Sequence, residues 1–265
     1  MGVTSPFSSR VRRAMLAPVG QAQVFREVRT EDELRQALTP LATDSIEALY
    51  ANTGRRIVIA APITLTSSIE IPSDLPGVTI ESHGHIPIYP AVDGMDAFIV
   101  RAPLVTIRGL LFVTPPDLSK RWGICVVFKA GTAILGQNVN PNDCRVLDCF
   151  AVGCNGLIRD ESAGSADDCY IERNAMQRFA DDVNVDGIFC DSPGWRIAFN
   201  HVTGQGTGLA INVDGNGGHA AIIGNDCSDD GIDTSASAGS NTISGNTRAG
   251  TVSAAVGDDA LGGNT

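Results

Sequence analysis

The sequence is poor in aromatic and charged residues and contains no long apolar run. Aromatic side chains make up 5% of the 265 residues and charged side chains 18%, whereas hydrophobic residues make up 43%. This hydrophobic fraction excludes an intrinsically disordered chain and indicates a folded protein with a sizeable core. Because no run of about 18 consecutive apolar residues occurs, we expect no membrane-spanning helix.

Positively charged residues are also scarce. The chain has 19 Lys and Arg against 30 Asp and Glu, which gives a formal net charge of −11. Nucleic-acid binding needs clustered Lys and Arg to neutralise the phosphates, so a nucleic-acid partner is not expected.

The first residues lack the pattern of a secretion signal. Residues 1–23 include a basic stretch, but the apolar segment Ala14–Gly20 is too short and too interrupted for the hydrophobic region of a signal peptide. We therefore predict synthesis in a bacterial cytoplasm without a signal peptide. We also predict an irregular N-terminal arm over residues 1–23 that could serve as a docking segment, followed by one domain over residues 24–265.

The seven cysteines follow neither a disulfide pattern nor a zinc pattern. Their number is odd, which favours buried reduced thiols over a disulfide framework. Cys144, Cys149 and Cys154 are separated by five residues, whereas zinc sites use Cys-x-x-Cys spacing. We therefore predict no metal site at the cysteines.

Helix signals are confined to the N-terminal part of the chain. Val24–Val28 has the pattern of a short strand, and Thr30–Glu33 is a capping box followed by leucines at helical spacing, with Pro40 ending the helix. A second helical stretch is predicted over Ser45–Ala51. Beyond it, short β-branched runs such as Ile69–Ile71 alternate with Gly, Pro, Ser and Asp, which is typical of short strands and turns.

The rest of the chain repeats a motif of an apolar residue followed three positions later by Asn or Cys. The motifs are Val146 with Cys149, Ile171 with Asn174, Ile197 with Asn200, Ile222 with Asn225, and Ile243 with Asn246. Their last positions are separated by 25, 26, 25 and 21 residues. This period suits a coil of three short strands and three turns, stacked on the next coil as a solenoid.

Two further columns recur with the same period. A Gly followed by Leu or Ile occurs at Gly156, Gly187, Gly208 and Gly231, and a buried-type column occurs at Cys144, Cys169, Trp195 and Ala220. In a parallel stack, the Asn column predicts a ladder of amide hydrogen bonds, the Ile column predicts an internal aliphatic stack, and the Gly column predicts positive φ at a corner. An ordinary α/β or sandwich protein is the alternative, but an α/β protein needs helices that the sequence lacks after about residue 52.

The pattern resembles the right-handed parallel β-helix, or pectate-lyase-like, superfamily over roughly residues 24–250. The resemblance is carried by the lead-in helix Thr30–Leu41, the first coil over Ile69–Glu81 and the repeat columns. It implies an all-β solenoid with a short N-terminal capping helix. The superfamily includes polysaccharide lyases, glycoside hydrolases, adhesins and phage spikes, and the chain is closest in character to spike or fibre proteins of phage or phage-like particles. Fold alone does not choose among these functions.

Four aspartates are candidate catalytic residues. Asp160 and Asp191 follow repeat glycines by four residues, while Asp186 and Asp230 precede repeat glycines directly. Glycoside cleavage uses two carboxylates about 5 Å or 6.5–9.5 Å apart, which one or two steps between coils would supply. The alternative is that these aspartates are turn residues that bond to their own backbone. No complete lyase or polygalacturonase signature is present.

Calcium is the one cofactor that the sequence offers a reason to consider. The tetrapeptide Asn-Val-Asp-Gly occurs twice, over Asn184–Gly187 and Asn212–Gly215, and Asp229, Asp230 and Asp233 could add oxygen ligands. A pair of Asx turns is the simpler interpretation. We therefore predict no cofactor and keep calcium as an alternative.

The expected binding residues are Lys120, Arg121, Trp122 and Trp195. The first three lie in the segment Pro115–Pro141, which is much longer than a turn and is predicted to project from the solenoid as a recognition loop. Trp195 occupies a repeat column and also fits a structural role.

Three functions remain in contention. The first is a structural, receptor-binding spike or fibre subunit of a virion or phage-like particle. It would bind cell-surface polysaccharide, attach to other particle proteins through its N-terminal arm, and form a homo-oligomer, with a trimer favoured. The second is a polysaccharide hydrolase or lyase that uses the candidate aspartates. The third is a self-associating scaffold without a ligand, because the last coil has no clear cap.

Overall fold

The computed structural model describes residues 25–40, 52–115, 119–132, 139–178, 185–203, 208–227, 231–248, 252–255 and 257–260. Within these residues there is one short helix, and every pairing between strands is parallel. The protein is therefore an all-β, solenoid-like fold built from stacked parallel sheets. The predicted arm over residues 1–23 and the predicted helix over Ser45–Ala51 lie outside the described residues.

The secondary-structure elements are short and follow each other closely. They are β1 (Phe25–Val28), α1 (Glu31–Ala37), β2 (Arg56–Ile59), β3 (Ile63–Leu65), β4 (Ile69–Ile71), β5 (Thr79–Ser82), β6 (Pro87–Pro90), β7 (Phe98–Val100), β8 (Thr106–Arg108), β9 (Leu111–Val113), β10 (Trp122–Lys129), β11 (Arg145–Leu147), β12 (Phe150–Glu161), β13 (Tyr170–Glu172), β14 (Ala175–Arg178), β15 (Ile188–Cys190), β16 (Arg196–Ala198), β17 (His201–Thr203), β18 (Ile211–Val213), β19 (Ala221–Ile223), β20 (Asp226–Cys227), β21 (Ile232–Asp233), β22 (Thr242–Ser244), β23 (Thr247–Arg248), β24 (Val252–Ser253) and β25 (Asp259–Ala260).

The strands form three faces. The first face is one sheet in the order β1-β2-β5-β8-β11-β13-β16-β19-β22-β25. The second face contains β3, β6, β9, the first half of β12, β14, β17, β20 and β23. The third face contains β4, β7, β10, the second half of β12, β15, β18, β21 and β24. We call one strand from each face, taken in chain order, a rung.

The interior of the first face is a continuous aliphatic column, as the Ile motif predicts. Its residues are in register and fully buried, and they are Ile57, Ile80, Ile107, Val146, Ile171, Ile197, Ile222 and Ile243. The column begins three rungs before Val146, the first residue that the sequence motif identified. The apolar middle residue of each strand therefore sets the register of the whole sheet.

The predicted asparagine ladder is confirmed. The Nδ2 atoms of Asn174, Asn200 and Asn225 donate to the Oδ1 atoms of the next asparagine, the last of them Asn246, at 2.9, 3.0 and 2.9 Å. Each of these amides also donates to a strand carbonyl, and each Oδ1 accepts a backbone N–H from the preceding rung. Every polar atom at this buried corner therefore has a partner, as burial requires.

The predicted positive φ at the Gly column is wrong. Gly156, Gly187 and Gly208 do not have positive φ, and a Cβ atom at Gly156 or Gly187 would lie 2.8 Å from a carbonyl oxygen of the neighbouring rung. These glycines are required by close approach of the rungs. Positive φ occurs instead just before the asparagine ladder, for example at Arg173 (55°) and Phe199 (57°).

Helix α1 begins with the predicted capping box. The Glu33 N–H donates to Thr30 Oγ1 at 3.2 Å, and the Glu33 carboxylate accepts the N–H of Arg29 at 2.6 Å, one residue earlier than the usual reciprocal bond. Arg35 donates to the backbone oxygen of Ser67, which ties the helix to the turn between β3 and β4. Helix α1 has seven residues, and in the described part of the chain no helix has the length and apolarity needed to cross a membrane.

Candidate functional site

The outward side of the third face carries a row of polar and aromatic side chains in register. Arg159 on β12 lies opposite Phe189 on β15, which lies opposite Asn212 on β18, which lies opposite Asp233 on β21. Their neighbours along each strand point into the core, so these four side chains face outward. Successive members are about 4.8 Å apart. We call these four residues the outer row.

The outer row combines the side chains that recognise sugars. Phe189 is partly exposed, and its ring offers an apolar surface for the face of a sugar ring. Arg159, Asn212 and Asp233 supply hydrogen-bond donors and acceptors on both sides of that ring. The four side chains therefore form a linear surface, about 4.8 Å per step, along the stacking direction.

Asp186, a candidate catalytic residue, lies beside the outer row and orients it. Its carboxylate accepts the Nδ2 of Asn212 at 2.9 Å and the backbone N–H of Leu209 at 2.8 Å. Because these bonds hold both carboxylate oxygens, Asp186 connects one rung to the next and positions the Asn212 amide.

Asp160 is buried, which corrects the expectation that it acts on a substrate. Its side chain is 3% exposed and accepts four hydrogen bonds, from the N–H and hydroxyl of Ser162, the hydroxyl of Ser192 and the N–H of Asp191. Burial raises the pKa of Asp160, and the hydrogen bonds from Ser162 and Ser192 offset part of that rise. The carboxyl group ties two rungs together and does not reach the surface.

Asp191 and Asp230 complete the set of candidate acids. Asp191 follows β15 and is adjacent to Asp160 through its own N–H, but its Oδ1 accepts the N–H of Asn216 at 2.8 Å. The structure therefore brings Asp160 and Asp191 together, with one carboxyl buried and the other at a turn. Asp230 lies outside the described residues, so its pairing with Asp186 stays a prediction.

Part of the predicted recognition loop, Trp122–Lys129, is a strand of the sheet. Trp122 begins β10, which pairs with β7 and β12 in the middle of the third face. Lys120 is exposed just before β10, and Arg121 is partly buried there. Residues 116–118 and 133–138 of this segment lie outside the described residues.

The two tryptophans are core residues, which corrects their assignment to binding. Trp122 and Trp195 are both fully buried. The Trp122 ring packs edge-on against Phe112, and the Trp195 ring packs edge-on against Phe128 while its Nε1 donates to the Ala166 oxygen at 2.6 Å. Neither ring presents a face to a polysaccharide.

The described part of the first Asn-Val-Asp-Gly copy, Val185–Gly187, does not lie in register with the second copy. Asn212 lies opposite Phe189, three residues beyond Asp186, so the copies are out of register. The Asp214 carboxylate accepts the N–H of Gly215 at 2.7 Å, which is a local turn bond. Among the residues that the structure describes, no three His, Cys, Asp or Glu side chains converge as a metal site.

Sequence reasoning missed the outer row as a unit. Its members were each visible as residues of the repeat zone, but they lie three, two and four residues after Gly156, Gly187 and Gly208. Because the corner segments differ in length, counting from the glycines does not keep the outer row in phase. Only the strand pairing aligns Arg159, Phe189 and Asn212.

The chain was compared with protein-family models, curated proteins and solved structures, and none of them matches. The geometry of the protein's own residues therefore carries the functional argument.

Proposed function

We propose that the protein is a structural, receptor-binding spike or fibre component of a phage or phage-like particle, which binds cell-surface polysaccharide. In this proposal the stacked rungs form a right-handed parallel β-helix of the pectate-lyase-like type, with α1 as its N-terminal cap. The observation that carries the proposal is the outer row, in which an aromatic ring lies between an arginine and an amide in register on a rigid sheet.

Binding is favoured over catalysis by the state of the candidate acids. Asp160 is buried and saturated with hydrogen bonds, and both oxygens of Asp186 are engaged by the next rung. A general acid or base needs a carboxyl that reaches the glycosidic bond or its water. These two aspartates instead stabilise the surface on which a polysaccharide would lie.

A polysaccharide hydrolase or lyase is the second candidate, and one observation favours it. Asn212 lies between two carboxylates, since it donates to Asp186 and lies opposite Asp233 on β21. Two acids on opposite sides of a bound sugar are the arrangement that glycoside hydrolysis uses. Asp233 would then be the second acid, because it is half-buried on the outward side of β21 and its Oδ1 accepts the N–H of Ser235 at 2.8 Å.

The proposal includes a homo-oligomer, with a trimer favoured, and attachment to other particle proteins through residues 1–23. Symmetric oligomers present several identical binding rows, which raises avidity for a repetitive surface polymer. Location on the virion follows from the same proposal.

The test is binding of the full chain to purified capsular and lipopolysaccharide glycans, measured by biolayer interferometry. We expect Phe189→Ala to weaken binding about tenfold or more, equivalent to about 1.4 kcal/mol, because it removes the stacking surface. Phe150→Ala is the matched control, since Phe150 is an exposed aromatic (41%) on the second face. Equal binding by Phe189→Ala and the wild-type chain would refute the assignment of the outer row.

Product analysis separates the two candidates. Glycans incubated with the protein are assayed for new reducing ends and for unsaturated sugars. Their release, and its loss in Asp233→Asn, would establish the enzyme in place of the binding protein. Immunolabelling of phage-like particles by electron microscopy tests the location independently.

A further inference from the structure

The middle strands of the first face, β2 to β16, carry more arginines than carboxylates on their outward side, although the chain as a whole has a formal charge of −11 and the end strands add the outward carboxylates Glu27 and Asp259. Six charged side chains project outward from β2, β5, β8, β11, β13 and β16. They are four arginines and two glutamates, namely Arg56, Arg108, Arg145, Arg196, Glu81 and Glu172. We call this group the basic face.

Both glutamates of the basic face are already engaged by arginines. Glu81 accepts from Arg56 on the neighbouring strand, and Glu172 pairs with Arg196 at 2.5 Å. Glu172 also contacts Arg173 at 3.2 Å. These pairs neutralise the two ends of the basic face and leave its middle positively charged.

The middle of the basic face holds Arg108 and Arg145, which form no ion pair with any described residue; Glu81 lies opposite Arg108, but its carboxylate is paired with Arg56. Among the described residues, no carboxylate lies within ion-pair distance of Arg108 or Arg145, and both side chains are exposed. Arg145 lies opposite Thr106 and Arg108 lies opposite Leu147, so the two arginines are diagonal neighbours on one surface. Their Cα atoms are about 8 Å apart, a distance at which long side chains converge.

Arg145 is held in place by an aromatic ring. Its guanidinium carbon lies 5.2 Å from the centroid of the Tyr170 ring on the next strand, a cation–π contact. Stacking restricts the guanidinium plane but leaves its N–H edge available for hydrogen bonding. Preorganisation of this kind lowers the entropy lost when an anion binds.

We infer that Arg108, Arg145 and Tyr170 form a second binding site, which takes the carboxylate or sulfate groups of an acidic polysaccharide laid along the first face. This inference rests on the proposed function, which names a polysaccharide as the ligand. It adds that the polysaccharide is acidic. An arginine fork matches carboxylate and sulfate oxygens with paired hydrogen bonds.

The small number of free arginines favours an acidic glycan over a nucleic acid. Duplex DNA carries about one charge per 1.7 Å, a density that two guanidinium groups do not neutralise. Two unpaired guanidinium groups suit a polymer whose charges are sparse. A polysaccharide with one acidic group on each sugar or disaccharide has this property.

The test compares four polymers of matched length: polygalacturonate, κ-carrageenan (one sulfate on each disaccharide), neutral dextran and duplex DNA. Affinity is measured by biolayer interferometry at low and physiological salt. We expect both acidic glycans to bind, neutral dextran to bind at least about tenfold more weakly, and the double variant Arg108→Gln, Arg145→Gln to reduce acidic-glycan affinity at least about thirtyfold. The two acidic polymers distinguish carboxylate from sulfate as the preferred group.

Arg196→Gln is the matched control for the single variant Arg145→Gln, because each removes one positive charge from the same face and Arg196 is already paired with Glu172. We expect it to change affinity less than about threefold. An equal loss in this control would show general electrostatic attraction and overturn the site. DNA binding as tight as glycan binding would overturn it as well.

Two further outcomes separate this inference from the proposed function. If acidic glycans bind and only Phe189→Ala weakens them, the outer row stands and the basic face is not a glycan site. If no polymer binds and sedimentation shows a salt-sensitive dimer that the double variant abolishes, a second copy of the chain occupies the basic face and both proposals fail.

Discussion

The rungs before residue 116 and those after residue 139 have the same backbone arrangement but different types of buried side chain. In the N-terminal rungs the buried residues are predominantly large, such as Ile80, Phe98 and Leu110. In the C-terminal rungs many are small or polar, including Cys169, Ala210 and the asparagine ladder. The backbone path is parallel and in register in both regions.

The corner between the first and second faces shows what this difference means. Leu110 occupies it in the N-terminal region, Cys149 occupies it next, and four asparagines follow. Burial raises the pKa of the Cys149 thiol to about 12, so it stays neutral and donates to the Leu147 oxygen at 3.4 Å. An apolar side chain only fills the space at the corner, whereas an asparagine amide also forms hydrogen bonds with the backbone N–H and C=O groups there.

The largest expected effect comes from removing one amide in the middle of the ladder. Asn200→Leu leaves the Ile171 oxygen and the N–H groups of Asn174 without their partners. Each buried group left unsatisfied costs about 1–3 kcal/mol, so we expect the free energy of unfolding to fall by at least about 3 kcal/mol. Urea unfolding followed by circular dichroism measures it.

The substitution Leu110→Asn tests the converse change, because it places an asparagine at the corner of an N-terminal rung. The new amide would have no amide neighbour, because Cys149 occupies the next rung. We expect a loss of about 2 kcal/mol or more from burying an unpaired polar group. If both variants unfold like the wild-type chain, the two regions do not differ in how they satisfy the corner.

A smaller effect distinguishes the two buried tryptophans. Trp195→Phe breaks the bond to the Ala166 oxygen, whereas the Nε1 of Trp122 has no hydrogen-bond partner in the described structure. Both rings are fully buried and pack edge-on against a phenylalanine, so the two substitutions remove similar volume. We expect Trp195→Phe to destabilise the protein by about 1–2 kcal/mol more than Trp122→Phe.

Equal losses in the two tryptophan variants would mean that the Trp195 hydrogen bond contributes nothing to stability. Thermal unfolding at one pH and one protein concentration provides the comparison. The near-ultraviolet circular dichroism of each variant confirms that its core is still packed.

The smallest expected effect is a pH dependence of opposite sign at two aspartates. Burial raises the pKa of Asp258, but hydrogen bonds from Thr234, Asn241 and Ala255 outweigh it, so the net shift is downward from 3.8. Its stabilisation is complete above the unfolded-state value and is lost as pH falls through the lower folded value. For Asp160, whose pKa is raised, protonation favours the folded state, so stability falls as pH rises above 3.8 through the folded value.

The variants Asp258→Asn and Asp160→Asn separate the two contributions. We expect the two substitutions to change the acid dependence of the unfolding midpoint in opposite directions, because the pKa of Asp258 is lowered and that of Asp160 is raised. Unfolding midpoints between pH 3 and pH 7 measure these slopes. Parallel profiles for wild-type and both variants would contradict the assignment.

The periodic part of the fold was predictable because the same residue types recur at nearly constant intervals in the sequence. The isoleucine and asparagine motifs recur once in each rung, and in a parallel stack like residues must lie above like residues. The ladder through Asn200 therefore followed from spacing alone. The motif identified the aliphatic column only from Val146 onward, because the earlier rungs have neither Asn nor Cys three residues after their isoleucine.

The functional surface was not predictable in the same way. The outer row depends on the lengths of the segments between the second and third faces, which vary from rung to rung. The segment around Trp122 was interpreted as a loop because it lacks the motifs, yet β10 pairs with two strands of the third face. The basic face could not be predicted from the net charge, which is negative. Arg108 and Arg145 are far apart in the sequence, and only the strand pairing places them next to each other.

The stacking of every rung on the next has a mechanical consequence. Strand β1 lies at one end of the first face and β25 at the other, and all hydrogen bonds between strands run along the line that joins them. A force that draws these ends apart is carried by every rung boundary in series. We therefore expect the weakest boundary to separate first and the stack to extend in steps of whole rungs.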